Sequence, residues 1–209
     1  MKKVLEYIVE HYKKGEPIFI SDIVIPDISQ DNLKQQLKHL VDEKILIRYE
    51  KGIYYLPRES RLKSGFRLSA DTVARYKYIS RRGRTMGYYS GFTFANQIGI
   101  SMQVPVKVEI VSNESAPIVR DITLGNRVFT VRKPRIEVTE DNQKVLQLLE
   151  LLKDIEEYSD ESADDVREQI VRYITAEKIA RKEVDKYIQK YPMKIYKYVY
   201  EMRLENVFA

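Results

Sequence analysis

Residues 29–56 read SQDNLKQQLKHLVDEKILIRYEKGIYYL, and this stretch decides the fold of the N-terminal part of the chain. Its leucines recur at the i, i+4, i+7 spacing of one buried helical face, and Ser29 stands at the position of a helix N-cap. The turn signal at 50–52 then separates two short apolar runs, 45–49 and 53–56. The stretch therefore predicts a helix followed by a β-hairpin.

Two shorter helices are predicted upstream of this stretch. Apolar residues within 5–12 recur at helical spacing before Gly15, and a second short helix is expected at 21–25, before Pro26. Three helices followed by a hairpin is the element order of the winged helix-turn-helix. We therefore predict a winged helix-turn-helix DNA-binding domain at residues 1–57.

The polar face of the third helix carries amide and ammonium groups. Amides pair with adenine edges, and lysine reaches guanine or phosphate. The predicted DNA contacts of this recognition helix are Ser29, Gln30, Asn32, Lys34, Gln35 and Lys38. In the hairpin, or wing, Arg48 and Lys51 are placed for phosphate contact. Two other interpretations stay open: a winged helix that serves as a protein–protein module, and a plain helical bundle with a hairpin.

Charge is unevenly distributed along the 209 residues, whose formal net charge is +5. Residues 59–136 carry 14 basic and 5 acidic side chains, whereas 137–209 carry 12 basic and 17 acidic ones. A basic segment, residues 58–84, predicts a surface that faces a polyanion, and the alternative is a solvated basic face. The residues of this predicted basic patch are Arg61, Lys63, Arg67, Arg75, Lys77, Arg81, Arg82 and Arg84.

Several classes of protein are disfavoured by the composition. With two histidines and no cysteine, little is available for acid–base or nucleophilic catalysis, so we expect no enzyme, no metal site and no cofactor. The glycines of 87–99 form neither a Walker loop nor a dinucleotide fingerprint. No apolar run approaches the roughly 20 residues of a membrane span, and the N-terminus lacks a signal-peptide core. We expect a cytoplasmic protein that does not contact the membrane.

An α+β domain is predicted for residues 58–209. The segment 87–99, rich in glycine and aromatic residues, is expected to form a tight turn that leads into a buried helix. A small antiparallel sheet is predicted at about 104–136, and it includes a hairpin that turns at Gly125-Asn126. Helices are predicted at about 139–206, with N-caps that include Thr139 and Ser162.

Nearly the whole chain resembles the AbiEi family of antitoxin-type transcriptional regulators. The resemblance rests on the end of the winged helix, Gly52-Ile53-Tyr54-Tyr55, on Arg132-Lys133-Pro134-Arg135, and on the helix at 142–152. It rests most specifically on a motif in the middle of the chain. The motif residues are Gly87, Tyr88, Tyr89, Ser90, Gly91, Thr93, Asn96, Gly99, Gln103 and Pro105.

The resemblance implies an antitoxin of a type IV toxin–antitoxin system, which acts in abortive infection, a form of phage defence. Its winged helix would bind operator DNA repeats and repress its own operon. Its C-terminal domain would counter a genetically linked nucleotidyltransferase-type toxin without a stable complex. Two alternatives stay open: a protein-interaction module that binds a toxin directly, and an RNA-binding protein that uses the basic middle segment.

Overall fold

Nine α-helices and nine short strands lie in residues 2–59, 65–159 and 162–208, the part of the chain that the computed structural model describes. The fold is mixed α+β, as the sequence predicts. The chain divides after Val73 into two units, each with its own hydrophobic core. None of the helices in the described ranges combines the length and the apolar character needed to cross a bilayer.

The first unit is built around a helix and a three-stranded antiparallel sheet of order β1-β3-β2. Its elements are α1 (Lys2–His11), β1 (Ile18–Phe19), a 3₁₀ turn (Ile20–Asp22), α2 (Gln30–Asp42), β2 (Ile47–Glu50), β3 (Ile53–Tyr55) and the start of α3 (Ala70–Tyr78). The Ser29 side chain caps α2 by accepting from the backbone N–H of Asn32, as predicted. The predicted helical face, with Leu33, Leu37 and Leu40, is buried in the core.

The second short helix expected at 21–25 is a single 3₁₀ turn at Ile20–Asp22. Strand β1 occupies the residues directly before this turn, and Pro26 disfavours helical geometry at Ile25. Too few residues remain between the two for an α-helix. The prediction of an α-helix there was therefore wrong, although the chain does turn at that place.

The second unit combines a four-stranded sheet with a group of helices. Its elements are the end of α3, β4 (Ser80–Arg81), β5 (Arg84–Thr85), β6 (Gly87–Tyr89), α4 (Gly91–Gln97), β7 (Val108–Ser112), β8 (Arg120–Leu124), β9 (Arg127–Arg132), α5 (Gln143–Lys153), α6 (Ile155–Tyr158), α7 (Ala163–Ala176), α8 (Arg181–Ile188), α9 (Lys194–Glu201) and a 3₁₀ turn (Leu204–Asn206). Helix α5 is central to this core, since eight of its eleven residues are buried.

The four-stranded sheet has the order β6-β7-β9-β8. The β6–β7 and β8–β9 pairs are antiparallel, as predicted, whereas β7 and β9 are parallel. The sheet is therefore mixed where a purely antiparallel one was expected, because the chain passes from β7 to the outer edge strand β8 before β9 returns beside β7. The β8–β9 hairpin turns at Gly125-Asn126, as predicted, and Gly125 has a φ of +58°. In the range 104–136 predicted for the sheet, the first strand begins only at Val108, because Pro105 has no N–H to contribute to a ladder.

Of the two helix N-caps predicted in the second unit, one is confirmed and the other is wrong. Ser162 caps α7 by accepting from the backbone N–H of Asp165, as predicted. Thr139 does not cap α5: the helix begins at Gln143, and the Thr139 N–H donates to the Asn142 side chain. That predicted cap was wrong because Asn142, at the actual N-cap position, draws the chain into a turn before the helix.

Candidate nucleic-acid interface

A cleft of about 700 Å³ lies in the first unit between α2 and the β2–β3 hairpin. Its lining residues are Ile20, Lys34, Lys38, Val41, Asp42, Arg48, Lys51, Gly52 and Tyr54. Four of these nine residues are cationic, and Asp42 is the single acid among them. The cleft is therefore electropositive over an apolar floor, which suits a phosphate backbone.

Two elements bring the four cations together. Lys34 and Lys38 are one helical turn apart on α2 and flank the buried leucine face. A bulge in β2 follows Arg48, whose Nε donates to the Glu50 carbonyl at 3.4 Å. The turn after β2 places Lys51 beside Gly52, where a β-carbon would lie only 3.3 Å from Ile20. Close packing of the hairpin tip against the 3₁₀ turn thus fixes the second wall of the cleft.

The other predicted residues of α2 lie outside the cleft lining. Ser29 is occupied as the helix cap, and the Asn32 side-chain oxygen accepts from Gln36 at 2.8 Å. Gln30 and Gln35 are exposed to solvent. Lys34 also pairs with Asp31 at 2.9 Å, and this hydrogen bond lowers the pKa of the Asp31 carboxyl. Of the predicted recognition-helix contacts, the structure therefore joins Lys34 and Lys38 to Arg48 and Lys51. Tyr54 and Ile20, which sequence reasoning missed, form the floor.

The predicted basic patch is spread over several elements. Arg61 and Lys63 lie outside the described residues. Arg67 is exposed, and on α3 the Arg75 guanidinium lies 5.0 Å from the ring centre of its neighbour Tyr76. Lys77 lies in the same way over Tyr78, at 5.5 Å. These two cations are thus partly engaged with aromatic rings of their own helix.

Residues 80–85, at the end of the predicted basic segment, form a two-stranded arginine hairpin, β4–β5. Arg81 and Arg84 are directly opposite each other across the ladder. Arg82 and Gly83 form the turn with φ values of 52° and 73°, which is the geometry of a type I′ hairpin. The Arg84 guanidinium also lies 4.0 Å from the Glu114 carboxylate, and both side chains are exposed.

The motif of residues 87–105 fixes α4 to the sheet. The Glu109 side chain accepts from the Phe92 N–H at 3.1 Å at the start of α4, and its backbone N–H donates to Thr93 at 2.9 Å. Gly91 has a φ of +56°, and a β-carbon there would lie 2.1 Å from the Glu109 carboxylate. Burial raises the pKa of Glu109 above its usual value. Ser90, at the N-cap, is buried.

Other motif residues fix the backbone around α4. At Gly87 a β-carbon would lie 2.3 Å from two carbonyl oxygens, those of Tyr78 and Val111. Asn96 donates to the Ser101 carbonyl at 2.9 Å, and Gly99 takes a φ of +80° after the helix. Further contacts come from Tyr88, which is buried, and Tyr89, whose carbonyl accepts from α5. Gln103 and Pro105 line a second cleft of about 330 Å³ beside Phe92 and Glu109.

A buried ion pair lies behind this motif. Glu150, on α5, is 2% exposed, and its carboxylate lies 2.7 Å from Arg132 and 2.5 Å from Lys153. Arg132 also donates to Ser90 at 3.3 Å. Sequence reasoning missed Glu150, although a single acid inside the apolar run 145–152 was a usable signal. The motif is thus tied to α5 by charge as well as by packing.

Comparison with known proteins gives one family. The sequence profile described as "Family of unknown function (DUF6088)" matches residues 3–185. A search of curated proteins found no match. The matched range holds both the cleft of the first unit and the motif of the second, and it covers most of the 209 residues. The chain therefore belongs to the family of unknown function DUF6088.

Proposed function

We propose that the first unit is a winged helix-turn-helix and that the protein is an operator-binding autorepressor. The observation that carries this proposal is the electropositive cleft, where Lys34 and Lys38 of α2 face Arg48 and Lys51 of the hairpin. A helix and a hairpin that present cations to the same groove are the two elements with which winged helices hold duplex DNA. The activity is binding without catalysis.

The two walls of the cleft have different roles in this proposal. α2 enters the major groove, where Gln35, exposed on its outer face, and Lys38 reach base edges. Arg48 and Lys51 hold phosphates and set the orientation of the protein on the duplex. The arginine hairpin of the second unit is a separate candidate for phosphate contact.

The second part of the proposal concerns a toxin. On the basis of the resemblance to AbiEi-type regulators, we propose that the second unit counters a genetically linked nucleotidyltransferase-type toxin in the cytoplasm, without a stable complex. What supports this proposal is that the motif on which the resemblance rests lies at one place in the second unit, around Glu109 and α4. Co-expression with the neighbouring toxin gene should restore growth. A toxin complex that survives purification would favour the alternative of direct toxin binding.

DNA binding is tested by fluorescence anisotropy with duplexes from upstream of the gene and with scrambled duplexes. Lys51→Ala should weaken binding to both kinds of duplex and lower the slope of log affinity against log salt by ~0.9. Gln35→Ala should lower the preference for the upstream duplex by ~1–3 kcal/mol. Lys14→Ala is the matched control, because Lys14 is exposed and does not line the cleft.

Two results would contradict DNA recognition through the cleft. One is a Lys51→Ala protein that binds every duplex as the parent does. The other is equal affinity of the parent for upstream and scrambled duplexes at all salt concentrations. That result would mean that the protein binds DNA by electrostatic attraction alone and recognises no operator sequence.

A further inference from the structure

Helix α9 presents an exposed stripe of large side chains, the α9 face. Met193, Tyr196 and Tyr200 follow one another at i, i+3 and i+7, the spacing of one helical face, and they are 79%, 40% and 76% exposed. The opposite side of the helix, with Ile195 and Val199, lies in the core of the second unit. Within the described residues, neither tyrosine hydroxyl makes a hydrogen bond. Both rings are thus free for an external partner.

The segment that carries the α9 face is basic, although the Lys194 ammonium lies 3.4 Å from the Asp154 carboxylate of another element. Residues 190–203, all of which the structure describes, contain four cations and one acid, Glu201. The cations are Lys190, Lys194, Lys197 and Arg203. Lys197 lies between the aromatic residues on the same face, and its ammonium is 3.9 Å from Glu201 with both side chains exposed. The same ammonium lies 5.7 Å from the ring centre of Tyr198, and both surface contacts are weak, so an anion can compete for Lys197.

We propose that the α9 face binds single-stranded nucleic acid. Tyr196 and Tyr200 are four residues apart, which is about 6 Å along the helix axis, so successive unpaired bases can stack on successive rings. The flanking cations would then hold the phosphates. Duplex bases are already stacked on one another, whereas those of a single strand are open to aromatic side chains. The chemistry of this surface therefore selects unpaired strands.

A second copy of the chain fits this face less well. Two identical faces that meet across a two-fold axis would bring the cations around Lys197 against their own copies, and like charges across an interface disfavour association. The α9 face belongs to the second unit and lies beyond residues 3–185, the range of the family match. The proposal does not rest on operator binding by the first unit.

The test uses the full-length protein and fluorescein-labelled oligothymidylate and oligouridylate of about 16 nucleotides. Tyr196→Ala/Tyr200→Ala should weaken binding of both strands by about tenfold or more for each ring removed. Tyr196→Phe/Tyr200→Phe should bind as the parent does, because stacking needs the ring and not the hydroxyl. Met102→Ala, at another exposed apolar residue, is the matched control. A difference in affinity between the two oligonucleotides would show whether RNA or DNA is the preferred ligand.

Circular dichroism and thermal melting should be the same for all variants, because the altered side chains are exposed. Duplex affinity should be unchanged in the double alanine variant. The proposal is overturned if that variant binds single strands as the parent does, or if the parent binds neither oligonucleotide. It is equally overturned if light scattering shows a dimer of the parent that becomes a monomer in the double alanine variant, since the face would then be a contact between copies.

Discussion

At Gly91 the backbone takes a φ of +56°, and the Glu109 carboxylate occupies the place that a β-carbon would need. Two requirements, a left-handed backbone and a close approach, therefore coincide at this residue. Gly65 meets only the first of them, since it has a φ of +74° with nothing within 4 Å of its virtual β-carbon. The two glycines can therefore be compared directly.

Gly91→Ala should lower the free energy of unfolding by about 3 kcal/mol or more, because backbone strain and a clash with Glu109 add together. Gly65→Ala should lower it by about 1 kcal/mol, which is the strain alone. Urea unfolding of the full-length protein measures both changes. Equal losses in the two variants would show that the carboxylate moves aside at no cost.

Glu109 gives the protein a pH-dependent stability. Burial raises its pKa above the usual 4.5, against the opposing effects of the Phe92 N–H and of Arg132. A group with a raised pKa favours the folded state below pH 4.5 and loses that contribution as the pH rises through its folded pKa. Glu109→Gln cannot titrate and keeps an oxygen that accepts from Phe92.

The stability of Glu109→Gln relative to the parent should therefore increase over the pH range in which the folded Glu109 carboxyl ionises, above its usual range, and then become constant. Urea unfolding at a series of pH values measures the difference in free energy of unfolding. A difference that stays constant over this range would mean that the carboxyl has the same pKa in the folded and unfolded states.

At the scale of elements, local signals and long-range contacts differ in how well the sequence predicts them. Ser29, Ser162 and Gly125 act within a few residues of chain, and each was placed correctly. Glu109 and Glu150 act on elements far away in the chain, and no local pattern indicates their partners. Their positions depend on the parallel pairing of β7 and β9 and on the packing of α5, which are tertiary properties.

In the candidate site, too, the sequence predicted the residues whose position follows from a local pattern and missed the contacts that depend on packing. Lys34, Lys38, Arg48 and Lys51 were chosen because of charge and position on a helix and a turn, and the cleft unites them. Asn32, chosen by residue type, is engaged with Gln36 through a hydrogen bond that composition cannot reveal. Residue type thus predicts which groups can contact DNA, and only packing determines which of them meet.

Helix α5 covers the edge of the sheet through two glutamines. Gln143 donates to the Gly87 carbonyl at 2.6 Å and Gln147 to the Tyr89 carbonyl at 2.8 Å, so both bond to strand β6. The two side chains are one turn apart, which matches the distance between alternate residues of a strand. Gln147 also accepts from the Tyr173 hydroxyl at 2.9 Å.

Gln147→Met should lower the free energy of unfolding by about 2 kcal/mol, because a strand carbonyl and the Tyr173 hydroxyl lose their partner in a buried place. Gln189→Met, at an exposed glutamine, should have an effect within about 0.5 kcal/mol. Thermal or urea unfolding compares the two. A Gln147→Met protein as stable as the control would show that water replaces the amide.

For the whole molecule, the arrangement of charge matters more than the net +5. The cleft belongs to the first unit and the arginine hairpin to the second. If one duplex meets both, each phosphate contact should make its own contribution to the salt dependence of binding. Variants in the two units therefore report on whether both units bind the same DNA.

Lys51→Ala and Arg84→Ala should each lower the slope of log affinity against log salt by ~0.9, and the double variant by ~1.8. Arg120→Ala, at an exposed arginine of β8, should leave the slope unchanged. Anisotropy titrations with the upstream duplex at several salt concentrations give the slopes. A parent-like slope for Arg84→Ala would mean that the first unit alone holds the duplex.

The two glutamines of α5 also limit how copies of this protein can associate. An edge strand with free carbonyls can recruit a strand from another molecule and so begin a fibre. At β6 another chain would first have to displace both amide hydrogen bonds, which leaves β8 as the accessible edge of the four-stranded sheet. A sheet that can extend on one side only can pair with a neighbour but cannot form a fibre, so this sheet does not supply the repeating contact that open aggregation needs.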